Sequence, residues 1–457
     1  MKLLSQIKET FNIEPATSAR MDLAVRDGIN TYTGFPDWID EESGIKTIKF
    51  AKAICSETAR LAMLAVKITV DGSDKAKWMQ EKIDEMYPKL REWVEYGCAY
   101  GTIIMKPSND GINLFTDDNY VITEYTNRNI TGIVFLYHEK ENDKYYTRLE
   151  YHHYKSKERY EISNRCFVGG SYNSFDEPID IKLTPWNELR EDANITGMVR
   201  PAYGVFRTPQ ANSIDINSAV GIPLFYEAME ELKDLDIAYS RNAEEVEDSR
   251  RTLLLDSDKM IQTGTRISDN QKNFEANRKL MKLPKFVKNV FGNGKDDFYQ
   301  EINPQLNTDA RISGINALLS QIGYKIGFSN GHFVFNESQG IQTATEVEAN
   351  QQRTIQFIKD VRDKLEACMD GVIDGLNMFA NLAQSSFIRG DYEVSYQFGD
   401  ITYNYEEEKN RWWGYVVAGK MPLWRYYVKF EGMSEKEAKE IEKEMQPKQP
   451  TLFGSEE

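Results

Sequence analysis

The feature that most constrains this chain is a long segment with helical periodicity, Ile341–Leu382. Its start carries two capping boxes, in which a threonine precedes a glutamate by three residues, at Thr343 and Thr345. Apolar residues then recur at steps of three or four, as on one face of a helix: Ile355, Ile358, Val361, Leu365, Cys368, Val372, Leu376 and Phe379. At ~1.5 Å per residue such a helix spans roughly 55 Å, more than the width of a small domain. We therefore expect this long helix, called the beam below, to join parts of an assembly. The alternative is a long helix buried in one monomeric domain.

Two glycines interrupt this segment one helical turn apart, Gly371 and Gly375. Each weakens a helix by about 1 kcal/mol relative to alanine. The pair predicts a bend or a close approach to another helix, and ordinary surface glycines are the alternative.

Two further helices are predicted before the beam, Pro223–Arg251 and Asp309–Phe328. Each has one apolar stripe: Phe225, Met229, Leu232, Leu235, Tyr239 and Val246 in the first, and Ile312, Ile315, Leu319, Ile322 and Ile326 in the second. The other side of the first is acidic: Glu227, Glu230, Glu231, Asp234, Asp236, Glu244, Glu245, Glu247 and Asp248. Between the helices, Thr252–Leu255 is a predicted strand and Arg266–Lys295 is the one basic stretch. That stretch is either a solvated face or a docking surface for an acidic partner or DNA.

Composition limits the classes of function. The chain has 457 residues, a net charge of −16 and 40% hydrophobic residues, which predict a folded protein of about two to four domains. The negative net charge argues against a protein that binds nucleic acid by overall electrostatic attraction. An acidic surface is nevertheless compatible with a path along which a DNA duplex slides, because it repels the phosphates. The alternative is that the acidic residues serve only solubility. The four cysteines are scattered without a CxxC pair, which predicts buried free thiols. No apolar run matches a membrane span or a signal peptide, so we expect a protein that is cytosolic where it is made and has no membrane partner.

The N-terminal half changes from helical to β-rich. Residues 1–45 are predicted to hold a short amphipathic helix and then a polar, turn-rich stretch. Helices are predicted at Ile45–Val66 and Asp74–Gly97, with a strand at Val66–Val70. Short β-branched and aromatic runs over residues 99–172 predict an antiparallel β meander, and residues 184–206 are irregular.

The C-terminal part contains short elements only. Residues Phe328–Gly340 are too rich in glycine and asparagine for a helix. Beyond the beam, Tyr392–Phe398 is a predicted strand, and Tyr405–Val417 and Ser434–Met445 are predicted helices.

Catalytic motifs are weak or incomplete. His152 and His153 are adjacent and point to opposite faces of a strand, so they cannot easily share a metal, and we interpret all the histidines as structural. The run from Gly414 to Lys420 matches GxxxxGK, but Met421 stands where a phosphate loop has Ser or Thr, and the run follows a helix. We predict that the protein is not an enzyme and has no cofactor and no metal site.

Four stretches, in this order, together resemble the portal proteins of tailed bacteriophages, in particular the branch found in long-tailed phages of Gram-positive hosts. The stretches are Tyr32-x-Gly34-x-Pro36-x-Trp38; Thr47-Ile-Lys-Phe-Ala-Lys with Cys55-x-Glu57-x-Ala59-x-Leu61; the helical pattern of residues 215–385; and Tyr415-x-x-Ala-Gly419-Lys with Phe430-x-Gly432-Met-Ser434-x-x-Glu437-Ala438. Each is a soft motif, and their order is the more specific signal.

The resemblance implies an α+β portal fold: a mixed α/β wing, a helical stem, an elongated clip and a long helix that bridges stem and wing, assembled into a cyclic ring. The implied divisions are wing 1–210, first stem helix 211–251, clip 252–308, second stem helix 309–328, tunnel loop 329–342, long wing helix 343–385, C-terminal wing or small crown 386–446, and disordered tail 447–457.

The resemblance also implies partners and sites. Such rings have about twelve copies at one capsid vertex of the virion and assemble in the host cytoplasm. A terminase motor, whose large subunit docks on the clip, packages double-stranded DNA through the channel without sequence specificity. The DNA later leaves by the same route. Head-completion or adaptor proteins, the tail, and capsid and scaffolding proteins are further partners. The implied channel-facing residues are Lys325, Asn330, His332, Asn336, Ser338 and Gln339, and the implied docking residues of the clip are Lys272, Arg278, Lys279, Lys282, Lys285 and Lys288.

Two other classes stay open. One is a nucleic-acid-processing ATPase, for which the GxxxxGK match is the only support. The other is a non-portal capsid component or a monomeric adaptor. The ring interpretation carries a physical expectation: the apolar stripes of the central helices pack on sister copies.

Overall fold

The computed structural model describes residues 2–39, 44–108, 111–172, 174–248, 252–256, 287–290, 299–302, 308–334, 344–382, 388–399, 405–418, 420–431, 433 and 435–445. The chain divides into two compact units, residues 1–63 with 67–396, and residues 64–66 with 397–457. The first unit mixes helices and strands, which confirms the predicted α+β class. None of the helices within the described ranges is both long and apolar enough to cross a membrane.

The first unit opens with helices: α1 (Lys2–Phe11), α2 (Ala19–Thr33), α3 (Phe50–Ala62) and α4 (Asp74–Tyr100), with strand β1 (Lys67–Asp71) before α4. The prediction of a turn-rich stretch where α2 lies is wrong. Its buried side has helical spacing, but small and polar residues such as Ala24, Gly28 and Thr31 weaken the apolar pattern. Gly28 serves close packing, because a Cβ there would lie 2.3 Å from Cγ of Pro223.

Helix α3 begins at Phe50 rather than at the predicted Ile45. The preceding residues use their backbone N–H groups elsewhere: Lys46 donates to the Ser240 hydroxyl at 2.8 Å, and Ile48 donates to the Asp236 carboxylate at 3.0 Å. Lys49, directly before the helix, has a left-handed backbone with a φ of 54°, so a right-handed helix cannot continue through it from Ile45.

The predicted meander forms two sheets. Its strands are β2 (Thr102–Ser108), β3 (Gly111–Phe115), β4 (Tyr120–Thr126), β5 (Asn129–Glu141), β6 (Lys144–Ser156) and β7 (Arg159–Gly169). Three further short strands are β8 (Glu177–Ile179), β9 (Asp192–Ile195) and β10 (Gly204–Arg207). The 3-stranded sheet has the order β10-β2-β3, and the 6-stranded sheet has the order β4-β5-β6-β7-β8 with β9 paired to β7. The prediction that residues 184–206 are irregular missed β9 and the start of β10, because their partners lie far away in the sequence.

The 6-stranded sheet is covered on both faces. On one face, Ile122, Ile133 and Phe135 share a core with Ile104 and Phe115 of the 3-stranded sheet. On the other, Val121, Val134 and Leu136 pack with Leu149 and with Ile7 of α1, which is fully buried. Successive residues of a strand point to opposite faces, so this alternation in β4 and β5 explains why the sheet needs a cover on each side.

A pair of helices follows: α5 (Met229–Asp248) and α6 (Thr308–Ile326). Helix α5 begins later than the predicted Pro223: a short 3₁₀ helix, Tyr226–Ala228, precedes it, and Leu224 and Phe225 before that are buried in the core. A 3-stranded sheet of order β12-β11-β13 lies between α5 and α6 in the chain: β11 (Thr252–Asp256), β12 (Val287–Val290) and β13 (Tyr299–Ile302). Strand β11 confirms the predicted strand.

The predicted long helix is present as α7 (Ala344–Leu382, 39 residues). Its predicted stripe is buried in the single chain: Val361, Cys368 and Val372 are 0% exposed. The helix packs on α3, α4, β2 and β10 of the same chain. The expectation that this stripe packs on sister copies is therefore wrong for α7, since its partners are already present within one chain.

Gly371 and Gly375 mark the contact between α7 and the segment that leads into β10. A Cβ at Gly371 would lie 2.5 Å from the Tyr203 carbonyl oxygen, and one at Gly375 would lie 2.8 Å from the Ala202 carbonyl oxygen. The glycines thus permit a close approach, as one alternative predicted, but the neighbour is a strand and its entry and not another helix.

Strand β14 (Glu393–Gln397) confirms the predicted strand after the long helix and pairs with β1. The second unit contains α8 (Tyr405–Val417), α9 (Leu423–Phe430) and α10 (Glu435–Met445). Helices α8 and α10 confirm their predictions, and α9 was not predicted. Aromatic contacts join α8 to α9: the Trp412 ring lies 5.6 Å from Phe430 and the Trp413 ring lies 5.3 Å from Tyr426.

Candidate functional site

The segment between α6 and α7 is the candidate site, and its described part, Phe328–Val334, is called the loop base below. Of the predicted channel residues, Asn330 and His332 belong to the loop base, and Asn330 is exposed. Asn336, Ser338 and Gln339 lie outside the described residues. Helix α6 ends at the loop base because Gly327 has a φ of +124°, in the region that favours glycine, and its N–H bonds the Gly323 carbonyl at 3.1 Å.

Aromatic rings hold the loop base. Phe328 is 0% exposed and its ring lies 4.8 Å from His332, 4.8 Å from Phe333 and 5.1 Å from Phe357 of α7. Phe333 in turn meets Phe50 of α3 edge-on at 5.2 Å. Such aromatic pairs are worth about 0.5–1.5 kcal/mol each beyond the burial of their area. The loop base is therefore attached both to α3 and to α7.

Paired hydroxyl groups add a second attachment to α7. The Ser329 N–H donates to the Thr354 hydroxyl at 2.8 Å, and the Thr354 N–H donates to the Ser329 hydroxyl at 3.2 Å. Both residues are buried. Because buried backbone donors need partners, this reciprocal pair fixes the first residue after Phe328 against the helix.

His332 faces a carboxylate of α3. Its Nε2 atom lies 3.4 Å from Glu57 Oε1, and its side chain is 26% exposed. Glu57 also accepts two hydrogen bonds from the Arg60 guanidinium at 2.7 Å, and this bond is the main reason that the pKa of Glu57 is lowered. Burial lowers the pKa of His332, although Glu57 acts in the opposite direction. The imidazole is consequently neutral at pH 7 and meets an ionised carboxylate.

Lys325, another predicted channel residue, bridges α6 and α5. Its ammonium lies 2.7 Å from Glu231 Oε1 and 3.0 Å from the Glu227 carbonyl oxygen, and Gln321 donates to Glu231 at 3.1 Å. The end of α6 therefore lies beside the beginning of α5, so the helices are antiparallel. The charge of Lys325 is offset within the chain.

The predicted acidic face of α5 is only partly exposed. Glu227, Glu230 and Asp234 face solvent, whereas Glu231 and Asp236 are 9% and 4% exposed. Asp236 accepts hydrogen bonds from Trp38 Nε1 and from the Ile48 N–H, each at 3.0 Å, and burial raises its pKa. These two carboxylates were predicted on the polar face, and the structure instead uses them to hold other elements on α5.

Two open clefts flank these helices. One, of about 610 Å³, lies beside the loop base and is lined by residues of α7 that include Gln352, Arg353 and Asp360. The Arg353 guanidinium covers the Tyr324 ring at 3.8 Å and donates to its carbonyl at 2.6 Å. The other, of about 500 Å³, is lined by residues of α2 and α5 that include Asp27, Glu230 and Lys233. Among the described residues, no group of three or more His, Cys, Asp or Glu is arranged to hold a metal.

The basic stretch of the predicted clip is described only at Lys288, which lies in β12. Lys272, Arg278, Lys279, Lys282 and Lys285 lie outside the described residues. Strand β11 is the central strand: β12 pairs with it in parallel, and β13 pairs with it in the antiparallel direction. The sheet thus joins the strand that follows α5 to the strand that precedes α6.

A buried charge network, not identified from the sequence, lies between the β10-β2-β3 sheet and the 6-stranded sheet. It consists of Lys106 of β2, Arg148, Glu150 and His152 of β6, and Tyr160 of β7. Lys106 and Arg148 each lie 2.8 Å from Glu150, and His152 Nε2 lies 2.6 Å from it. The other ring nitrogen of His152 meets the Tyr160 hydroxyl. Arg148, Glu150 and His152 are two residues apart along β6 and therefore share one face of the strand. This spacing of three polar residues is the sequence pattern from which the network could have been predicted.

The electrostatics of this network favour a structural role. Burial raises the pKa of Glu150, but Lys106, Arg148 and His152 outweigh it and hold this pKa well below its usual range. Burial lowers the pKa of His152. Every member is less than 10% exposed, so no substrate reaches it from solvent. The network ties the 3-stranded sheet to the 6-stranded sheet.

Other sequence observations have clear positions. His152 is buried and His153 is partly exposed on the opposite face, where it lies 2.9 Å from Glu124. All four cysteines are free and buried, as predicted. Residues 414–417 of the GxxxxGK match belong to α8, so this part is helical and does not follow a strand as a phosphate-binding turn does.

No known family model matches the chain, and no curated protein has a significantly similar sequence.

Proposed function

We propose that the chain is the portal protein of a tailed bacteriophage, a ring of about twelve copies at one capsid vertex through which double-stranded DNA is packaged and later ejected. It has no catalytic role of its own in this proposal. A terminase motor docks on the clip and supplies ATP hydrolysis, and head-completion or adaptor proteins and the tail attach later. Capsid and scaffolding proteins surround the ring during assembly.

The observation that carries the proposal is the arrangement of residues 229–382. An antiparallel helical pair, α5 and α6, is followed by the anchored loop base and then by a 39-residue helix. A small sheet interrupts the chain between the two paired helices. This succession has the order and the types of element that the sequence resemblance implies for a stem, clip, tunnel loop and long helix, and it supports the proposal.

The surface of α5 is compatible with a channel for DNA. Its exposed carboxylates, including Glu230 and Asp234, repel phosphates, so a duplex would pass without tight binding. The one described lysine of the predicted channel set, Lys325, is paired with Glu231 and offers little attraction. A transit channel requires weak binding.

Ring formation needs apolar surface outside α7, whose stripe is already covered. The paired helices provide some: Ile312 and Ile315 of α6 are only half-buried, and Tyr239 of α5 is 44% exposed. A ring is built from one surface that meets a different surface on the next copy and closes after a full turn. We assign the ring contacts to the sides of α5 and α6.

The test is the mass and shape of the purified protein. For a chain of 52.8 kDa, a ring of about twelve copies has a mass of roughly 630 kDa by light scattering. Negative-stain images should show an annulus with an open axis. A protein that stays monomeric under all assembly conditions, with scaffolding protein and capsid shell present, contradicts the proposal. Hydrolysis of ATP by the purified chain would instead support the ATPase alternative.

A further inference from the structure

The loop base is attached to two helices of the chain. It is attached to α7 through Ser329–Thr354 and Phe328–Phe357, and to α3 through Phe333–Phe50. His332 makes the remaining described contact with α3, through Glu57.

We propose that His332 is a positioning residue: through Glu57 it holds the part of the loop base that follows Ser329 against α3. This inference concerns the chain's own geometry, so it holds or fails independently of the ring proposed above. It differs from the sequence expectation, in which His332 faces DNA.

The imidazole is restrained on each side that the structure describes. Its plane stacks on Phe328 with 29° between the rings, and the Phe333 ring meets it edge-on at 86° and 4.8 Å. Its Nε2 atom faces Glu57, whose position is set by two hydrogen bonds from Arg60. A ring held by two aromatic neighbours and one carboxylate has little rotational freedom.

The charge around His332 also disfavours contact with DNA. The acceptor that faces the His332 imidazole is the ionised Glu57 carboxylate. A DNA phosphate is also negatively charged, so this carboxylate would repel a phosphate that approached the imidazole. A phosphate would have to displace Glu57, which retains its bonds to Arg60. The described geometry therefore favours an intramolecular role for the histidine.

The test is hydrogen exchange of the full-length protein, read at the Ser329 and His332 amides, both of which are hydrogen-bonded in the structure. The variants are His332→Ala, Glu57→Ala, which removes the acceptor, and the double variant. A lost hydrogen bond to a charged group corresponds to roughly a 10-fold faster exchange at these amides. His332→Ala also removes the ring contacts with Phe328 and Phe333. Once the imidazole is absent, removal of Glu57 has no further contact to break, so the double variant should exchange within about 2-fold of His332→Ala.

Two controls separate positioning from general damage. His332→Gln keeps a side-chain N–H donor and should restore part of the protection, whereas His138→Ala, a half-buried histidine on β5, should leave the loop base unchanged. Exchange in β5–β7 should stay as in the wild-type protein. Unchanged exchange at the loop base in His332→Ala, or multiplicative effects of the two substitutions, would overturn the inference. If His332→Ala unfolds more widely, Glu57→Ala compared with His332→Gln supplies the same test.

Discussion

Glu150 holds the buried charge network together, and its removal is predicted to destabilise the first unit strongly. The substitution Glu150→Gln keeps the shape of the side chain and removes its charge. Lys106 and Arg148, which are 4% and 5% exposed, then lose the carboxylate that lies 2.8 Å from each of them. Breaking a buried ion pair by removing one partner costs about 3–5 kcal/mol, because the remaining charge stays buried without compensation. We expect the lower part of this range, since glutamine can still accept one hydrogen bond.

The measurement is native-state hydrogen exchange at amides of β5, β6 and β7, which reports the opening free energy of this region. The matched control is Glu161→Gln on β7. Glu161 is also paired with two basic residues, Lys155 and Arg159, but its side chain is 31% exposed. Pairs of this kind contribute about 0–1 kcal/mol. A loss below ~1 kcal/mol for Glu150→Gln, or an equal loss in both variants, would show that the network is not a determinant of stability.

The same network predicts an acid dependence of stability. Glu150 and His152 both have a lowered pKa in the folded protein. As the pH falls, the unfolded chain therefore binds protons first, at about pH 6.5 for histidine and about pH 4.3 for glutamate. The unfolded state binds more protons in this range, so the stability decreases as the pH falls. Glu150→Gln should flatten the part of this decrease below about pH 5, measured by urea unfolding at a series of pH values.

Two further predictions concern packing and the clip. Gly371→Ala places a Cβ 2.5 Å from the Tyr203 carbonyl oxygen and should lower the free energy of unfolding by about 1–3 kcal/mol, whereas Gly314→Ala on α6, with no atom within 4 Å of the new Cβ, should raise it by up to about 1 kcal/mol. Equal effects of the two alanines in urea unfolding would contradict the assigned close approach. If the proposed function is correct, reversing the charge of clip residues should weaken binding of the terminase, measured in a pull-down or titration. The residues to reverse are Lys279, Lys282 and Lys285. Unchanged affinity would show that the clip is not the docking surface.

Local patterns were a reliable guide to elements whose conformation depends on near neighbours. The period of the apolar residues predicted α7 and α6 to within a few residues of their observed ends, and β-branched runs between turn residues predicted β2 to β7. Helix α2 was missed because its buried face contains Gly28 and Thr31. Amphipathic periodicity detects a buried helix face only when that face is apolar.

Contacts distant in sequence could not be predicted in the same way. The pairing of β10 with β2 depends on residues about a hundred positions apart. His332 and Glu57, which lie against each other, are still farther apart in the sequence. The stripe of α7 was identified correctly, but its partner was not, since an apolar face specifies burial without specifying what covers it. The same limit applies to Lys325, whose attachment to Glu231 depends on how α5 and α6 pack together.

The sequence by itself determined the order and type of most main elements and the acidic character of the chain, because these follow from periodicity, charge and turn chemistry along the chain. Only the tertiary structure decided which faces are covered within one copy. It placed α7 inside the chain's own core, gathered the charges of β2 and β6 into a buried network, and anchored the loop base to α3. The physical reason is that burial and electrostatic pairing depend on distances in space, which residue spacing along the chain does not specify.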